Sequence, residues 1–279
     1  MDLFQEQARR NTETDAAWML YAPHRQRVTQ LLLDARISTG ERLCLLGAGN
    51  LNDLDLTALS ASFCEIVLAD VDATALQRGL SRQGFSKDAR FRVVAPMDVS
   101  GVFAEFVDMA NRQPVRDDAI DNCLRKLTLL PEIGDPVGFD VVASVGLLTQ
   151  LIEGVAQSVG ETHPRFWETV SAIRTQHLRL MLELTVPGGA AVLVTEVVSS
   201  DSCPALQSVD KGDLPGLLKG EIAARNFFTG TNPAALQELL RTDFTLAGQL
   251  ASTRFTEPWL WQFLTRIYAV YGLTMRKRG

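Results

Sequence analysis

The chain is poor in the residues that build metal centres and disulfide frameworks. It holds three histidines, His24, His163 and His177, too few and too scattered to make a metal site. Its four cysteines, Cys44, Cys64, Cys123 and Cys203, include no C-x-x-C pair, which argues against a zinc ribbon or a dithiol redox motif. Cys44 lies inside an apolar run and reads as a reduced, buried thiol. No apolar stretch is long enough to cross a bilayer, and the polar start MDLFQEQARRNTETD lacks the apolar core of a secretory signal. A cytoplasmic protein with no membrane partner is therefore expected. Positive charge is also in deficit: 27 Lys and Arg stand against 33 Asp and Glu. That balance leaves no broad basic field for a nucleic-acid backbone. The two basic concentrations, HRQR at 24–27 and the tail MRKRG, are expected to be solvated surface. No Ser–His–Asp order, repeat or low-complexity tract is visible.

What is present is an alternation of apolar and amphipathic runs. With 46% hydrophobic and 22% charged residues over 279 positions, the chain can bury a sizeable core without disulfides or metals. A helical lead-in, APHRQRVTQLLLDARI, places Pro23 near its first position and Val28, Leu31, Leu32 and Ala35 on one face. Strands are expected at Arg42–Leu46, in CEIVLAD ending at Asp70, in RFRVVAPMD ending at Asp98, in FDVVASVG and in AAVLVTEVV. Helices are expected at Leu51–Ser60, in ATALQRGLSRQG closed by Gly84, twice within 101–135, and in RFWETVSAIRTQHLRLMLEL, stopped by PGG at 187–189. Asn232 and Pro233 mark another helix start. Beyond it FTLAGQL, PWLWQFL and RIYAVYGLTM read as strands too close together for crossover helices, so at least one pair is antiparallel. The expected fold is α/β: a Rossmann-like, doubly wound, mostly parallel sheet with a C-terminal antiparallel hairpin. An N-terminal helical cap (1–40) precedes the core (41–279) within one domain.

The stretch LCLLGAGNLNDLDL carries the functional signal. A strand, a G-x-G turn and a helix, followed by an acid at the end of the next strand, have two common users. One holds a dinucleotide, with its pyrophosphate on the helix N-terminus; the other holds S-adenosylmethionine. Position 52 is Asn, so the third glycine of the dinucleotide fingerprint is missing. Asp53 and Asp55 are expected in the first helical turn, where a pyrophosphate would meet repulsion of about 1 kcal/mol or more for each close pair. A phosphate-free sulfonium ligand tolerates those acids.

The ordered set LLGAGN, IVLADVD, APMDVSG, FDVVASVGLL and LTVPGGAAVLVTE resembles the class I S-adenosylmethionine-dependent methyltransferases over roughly residues 40–200. The resemblance implies that Gly47, Ala48, Gly49 and Asn50 lie along the methionine part of the cofactor. It implies that Asp70 binds the ribose hydroxyls, with Val71 against the adenine. Asp98 would accept from the adenine amino group, Met97 would pack beside the ring, and Ser144 and Val145 would line the cofactor. One departure is plain: the acid many members carry two residues before the first glycine is Leu45 here. The proline-rich signature of enzymes that methylate nucleic-acid bases is absent after the fourth strand, which reads ASVGLLTQL. A small-molecule acceptor is expected. Methyl transfer needs alignment and water exclusion, with a general base where the acceptor carries a proton. Tyr21, His24, Arg25 and Gln150 are the candidate substrate residues, and Glu196 is the candidate for steering a cationic amine or acting as base. RNFFTGTNP (225–233) is an aromatic loop able to close over the acceptor or to staple the helix after it. An NAD(P)-dependent oxidoreductase and a non-catalytic module of the same fold stay open as alternatives, the second supported by Leu45. Oligomeric state is not encoded legibly.

Overall fold

Strand after strand of Val, Leu and Ile, each followed by a helix with one apolar face, leaves the chain little choice but a covered parallel sheet. The computed structural model describes residue 9 and residues 11–279; residues 1–8 and 10 of the expected cap lie outside the described residues. Helix α1 (Ala22–Asp34) leads into β1 (Glu41–Leu46), α2 (Leu56–Ser60), β2 (Phe63–Ala69), α3 (Ala73–Arg82) and β3 (Phe91–Val94). There follow α4 (Phe103–Asn111), α5 (Asp117–Lys126), β4 (Phe139–Val145), α6 (Leu147–Val159), α7 (Phe166–Leu184) and β5 (Thr185–Ser199). The last third holds α8 (Leu214–Ala223), α9 (Pro233–Thr242), α10 (Phe244–Gln249), β6 (Leu250–Phe255), β7 (Trp259–Phe263) and β8 (Arg266–Lys277).

The sheet runs β3-β2-β1-β4-β5-β8-β6, with β7 also paired to β8. Pairs from β3 to β5 are parallel, and β8 is antiparallel to β5, β6 and β7. The chain winds outward from β1 in both directions, so a crevice opens at the carboxyl edge where β1 and β4 part. Side-chain alternation divides the core. Leu43, Leu45, Ile66, Leu68, Val192 and Val194 face the α1–α3 layer. Cys44, Leu46, Val67, Ala69 and Val142 face the α4–α7 layer. Cys44 is fully buried, and burial holds its thiol well above the usual range.

Several boundaries differ from the sequence reading, for local reasons. The helix expected at Leu51–Ser60 begins only at Leu56: Leu51 takes a positive φ of 60°, and Asp55 caps the helix by accepting the Ala58 N–H. Asp53 and Asp55 thus precede the helix rather than sit in its first turn. FTLAGQL is not a strand; Asp243 caps α10 through the Leu246 N–H, and the strand starts at Leu250. The helix before PGG ends at Leu184, the last residue of the expected run, but PGG is not its stop: β5 begins at Thr185 and runs through the glycines with a register break against β4. Helix α6, absent from the sequence reading, fills the segment after β4. HRQR is solvated surface only at Gln26 and Arg27; His24 and Arg25 are buried beneath the loop after β1 and against β7. Asn232 caps α9 through the Ala234 N–H, as expected.

Candidate functional site

The crevice lies at the carboxyl ends of β1 to β4 and counts about 730 Å³ of empty space, including the part open to solvent. Its floor comes from the glycine turn. Gly47 and Gly49 have φ of +66° and +52°, a region that disfavours any side chain. A Cβ on Gly47 would stand 2.8 Å from Leu147 of α6, so glycine here is what lets the turn and the helix start approach. Gly47 reaches the crevice wall; Ala48 packs into the apolar layer below.

Asp70 and Asp98 wall one end. Asp70 Oδ2 accepts the Gly49 N–H at 2.8 Å and Oδ1 accepts the Asp72 N–H at 2.8 Å. The carboxyl is nearly buried, and desolvation raises its pKa against these two stabilising bonds. Asp98 Oδ1 accepts from the Ser100 N–H and hydroxyl at 2.9 and 2.6 Å, and Oδ2 accepts the N–H of Phe103, the first residue of α4, at 2.8 Å. A carboxylate oxygen has two lone pairs, so both residues keep acceptor capacity toward the crevice. Val71, Met97, Val99 and Phe103 supply the apolar surface between them. Gln150 lies on the opposite wall, on α6.

Asn50 turns away from the crevice. Its Nδ2 donates to Asn11 O at 3.0 Å and Thr14 Oγ1 at 2.8 Å. Asn52 Nδ2 likewise donates to Thr14 O at 2.7 Å. Asn11 reaches Asp72 Oδ2 at 3.0 Å, and Asp15 pairs with Arg82. The segment before α1 is thereby tied down over the glycine turn, and Asn11, Thr14 and Asn52, none of which lines the crevice, are ties the sequence reading missed. Three polar side chains near positions 11–15 facing a second Asn after the glycine turn were the available signal.

Ser144 and Val145 do not line the crevice. Strand alternation puts Ser144 on the α7 face, fully buried, with its hydroxyl 2.8 Å from His177 Nε2. Burial lowers the His177 pKa to about 4, so this pair is a neutral core hydrogen bond. Val145 packs against the α1–α3 layer.

Tyr21, His24 and Glu196 assemble somewhere else: at the β5 end of the same edge, beside β7 and β8. His24 is 2% exposed, and its Nδ1 accepts the Trp259 indole N–H at 3.0 Å. The proton of the neutral ring then sits on Nε2, 3.4 Å from Asp53 Oδ1. Burial and the Arg25 charge lower the His24 pKa to about 3. Arg25 itself bonds the carbonyls of Trp18 and Asn52, both at 3.0 Å, and lies 3.4 Å over the Trp18 ring. Glu196 is buried, accepts a hydrogen bond from the Thr149 hydroxyl, and approaches Gly146, the residue before α6. Burial pushes its pKa up to about 7. Asp53 is also held up at about 7, by burial and by the charge of Glu196.

The chain matches no protein-family model and no curated protein. Among solved structures it is similar to the N-methyltransferase NodS of Bradyrhizobium japonicum in complex with S-adenosyl-L-homocysteine. That match has 12% identity, spans 100% of both chains and has a TM-score of 0.52. It also matches the YcgJ protein of Bacillus subtilis (11% identity, 91% of this chain, 99% of that one, TM-score 0.47). A third match is an O-methyltransferase family protein of Burkholderia thailandensis (15% identity, 97% of this chain, 59% of that one, TM-score 0.47). At such identities the likeness is one of fold, and the chain has the class I methyltransferase fold.

Proposed function

We propose that the protein is an S-adenosylmethionine-dependent methyltransferase acting on a small molecule. One observation carries the choice of ligand: three carboxylates, Asp70, Asp98 and Glu153, line the crevice, and among the described residues no Lys, Arg or His does. A pyrophosphate would find three negative charges and no cation to answer it. A nucleoside bearing a sulfonium finds compatible charge, two oriented acceptors and an apolar slot. The glycine turn supports the same reading, since Gly47 leaves free the space that a Cβ would fill. The residues thus fit the group that the fold class implies.

In this reading Asp70 receives the ribose hydroxyls, held in place by the Gly49 and Asp72 amides. Asp98 receives the adenine amino group, and Val71 and Met97 flank the ring. Bound there, S-adenosylmethionine supplies a methyl group already activated on sulfur. The chain's work is then to align the acceptor and exclude water. The N-terminal segment pinned by Asn50 and Asn52 supports water exclusion at the glycine turn, and we assign 1–40 the role of a cap on a single domain. No helix of the described residues is long and apolar enough to cross a membrane, and a cytoplasmic enzyme is the reading we adopt.

Calorimetry with S-adenosylhomocysteine tests the proposal, with NADH as comparator. Micromolar binding of the first and none of the second is expected. Binding of NADH alone would replace this reading with the oxidoreductase.

A further inference from the structure

The groups at the β5 end of the edge have no role in holding a nucleoside, yet they are buried at considerable expense. His24 Nε2 and Asp53 Oδ1 face each other at 3.4 Å, and neither makes a hydrogen bond among the described residues. The indole N–H of Trp261, 7% exposed, also lacks a partner among the described residues. Buried polar atoms are rarely left so. Trp261 stacks on His24 at 4.4 Å and meets Tyr21 edge-on at 5.3 Å; Tyr268 lies 5.5 Å from Trp261. An aromatic wall therefore stands beside two carboxyls, Asp53 and Glu196, and the Glu196 charge adds to burial in raising the proton affinity of Asp53. The cation that Asp53 feels, Arg25, has its guanidinium bonded to two backbone carbonyls.

We propose that this cluster is the acceptor subsite and that the acceptor is a primary or secondary amine, bound as its ammonium ion between Asp53 and Glu196 against the Tyr21–Trp261–Tyr268 wall. The proposal rests on the methyl-transfer reading and names its substrate class. An ammonium supplies what the cluster lacks: a positive charge for the buried Glu196 and the half-buried Asp53, N–H donors for the enclosed Asp53 Oδ1, and a cation for aromatic faces. An alcohol supplies none of the charge, and a phosphorylated or carboxylic acceptor adds repulsion. Position agrees, because Glu196 approaches Gly146 and the next residue, Leu147, borders the crevice beside Gly47. Glu196 takes one proton from the ammonium. The freed nitrogen lone pair forms the N–C bond as the methyl C–S bond breaks, its electron pair staying on sulfur.

Other charged or titratable groups face the pair. Tyr21, His24 and Arg25 do so from α1 and its start, Glu153 from α6, and Tyr268 and Tyr271 from β8. The tyrosines are pushed above their usual range by burial and stay neutral near pH 7, so the carboxyls carry the titration.

The test uses the full chain saturated with S-adenosylhomocysteine. Methylammonium, propylammonium and benzylammonium are titrated by calorimetry near pH 7 in two buffers of different ionisation enthalpy, with propanol and benzyl alcohol as neutral matches. At least one amine should bind ten-fold or more tightly than its alcohol and release a fraction of a proton as the carboxyls ionise. Glu196→Gln and Asp53→Asn, neutral and isosteric, should each weaken that amine ten-fold or more while changing S-adenosylhomocysteine affinity less than two-fold. Equal binding of amine and alcohol, no binding by any amine, or amine binding indifferent to both substitutions overturns the subsite and leaves the methyl-transfer reading standing. Amine binding that depends on Glu196 in a protein that takes no S-adenosylhomocysteine overturns the methyl-transfer premise instead.

Discussion

The two carboxyl pairs on the sheet's carboxyl edge are held in opposite ways. Asp70 receives backbone amides from the glycine turn after β1 and from Asp72, and Asp98 from Ser100 and the first residue of α4, so their position is fixed by main chain. Glu196 receives a threonine hydroxyl and Asp53 faces the Nε2 side of an imidazole bonded through Nδ1, and Glu196 comes from the carboxyl-terminal part of a long strand rather than from the turn after it. Backbone amides pre-orient an acceptor and partly compensate its charge. Buried side chains with unmet bonds leave the charge to be compensated by whatever arrives. The first arrangement suits one invariant ligand with hydroxyls and an amino group. The second suits a cation whose binding is coupled to a proton.

Removing the pre-oriented end should have the largest effect. Asp70→Ala is expected to weaken S-adenosylhomocysteine by about 100-fold, on the order of 3 kcal/mol for losing a buried charged acceptor. Glu196→Gln should leave that affinity within about two-fold. Calorimetry on both variants decides whether the ends are independent, and a shared loss would merge them into one site.

The next effect is on stability against pH. Glu196 sits at about 7 in the folded protein, against about 4.3 in an unfolded chain. Its raised value means the folded state holds the proton more tightly, so its contribution is full below 4.3 and is lost as pH rises through 7. Glu196→Gln removes that titration. The variant should therefore gain on the wild type by on the order of 2 kcal/mol between pH 5 and pH 8, read by urea unfolding. His24 runs the other way, stabilising above about 6.5 and losing that as pH falls toward its folded value of about 3. It is common to both proteins and cancels in the difference. A flat difference curve would mean that Glu196 is not held in a charge-averse site.

Gly47→Ala sharpens the boundary between the ends, since Gly47 and Leu147 touch where they meet. A positive φ and a Cβ 2.8 Å from Leu147 should cost about 1–2 kcal/mol of stability. Ligand affinity should fall with it. The smallest effect is expected from Asn50→Ala, which removes two buried hydrogen bonds to the N-terminal segment. A loss of about 1 kcal/mol is expected, with faster limited proteolysis before Tyr21.

Much of the fold was legible because strand identity is a local property. Runs such as FDVVASVG and AAVLVTEVV are too apolar and too β-branched to be anything but central strands, and their alternation with helices dictates the parallel order. Asp70 and Val71 were legible for the same reason, since residues following the end of a parallel strand face the crevice; Met97 and Asp98 also line it, although β3 ends at Val94 rather than at Asp98 as expected. Ser144 failed because a one-residue step along a strand reverses its face. FTLAGQL failed because one capping contact from Asp243 outweighed weak strand propensity.

The amino-acid order alone determined the sheet, its switch point and the acids at its edge, since each follows from periodicity and turn chemistry within some twenty residues. The partnership of Asp53, His24, Trp261 and Glu196 was decided only in three dimensions. Asp53 and Glu196 are acids of ordinary local context, and β7 and β8 bring aromatic rings to them from more than 200 positions beyond His24. Their burial, and with it their pull on a proton, exists only once distant segments exclude water from around them.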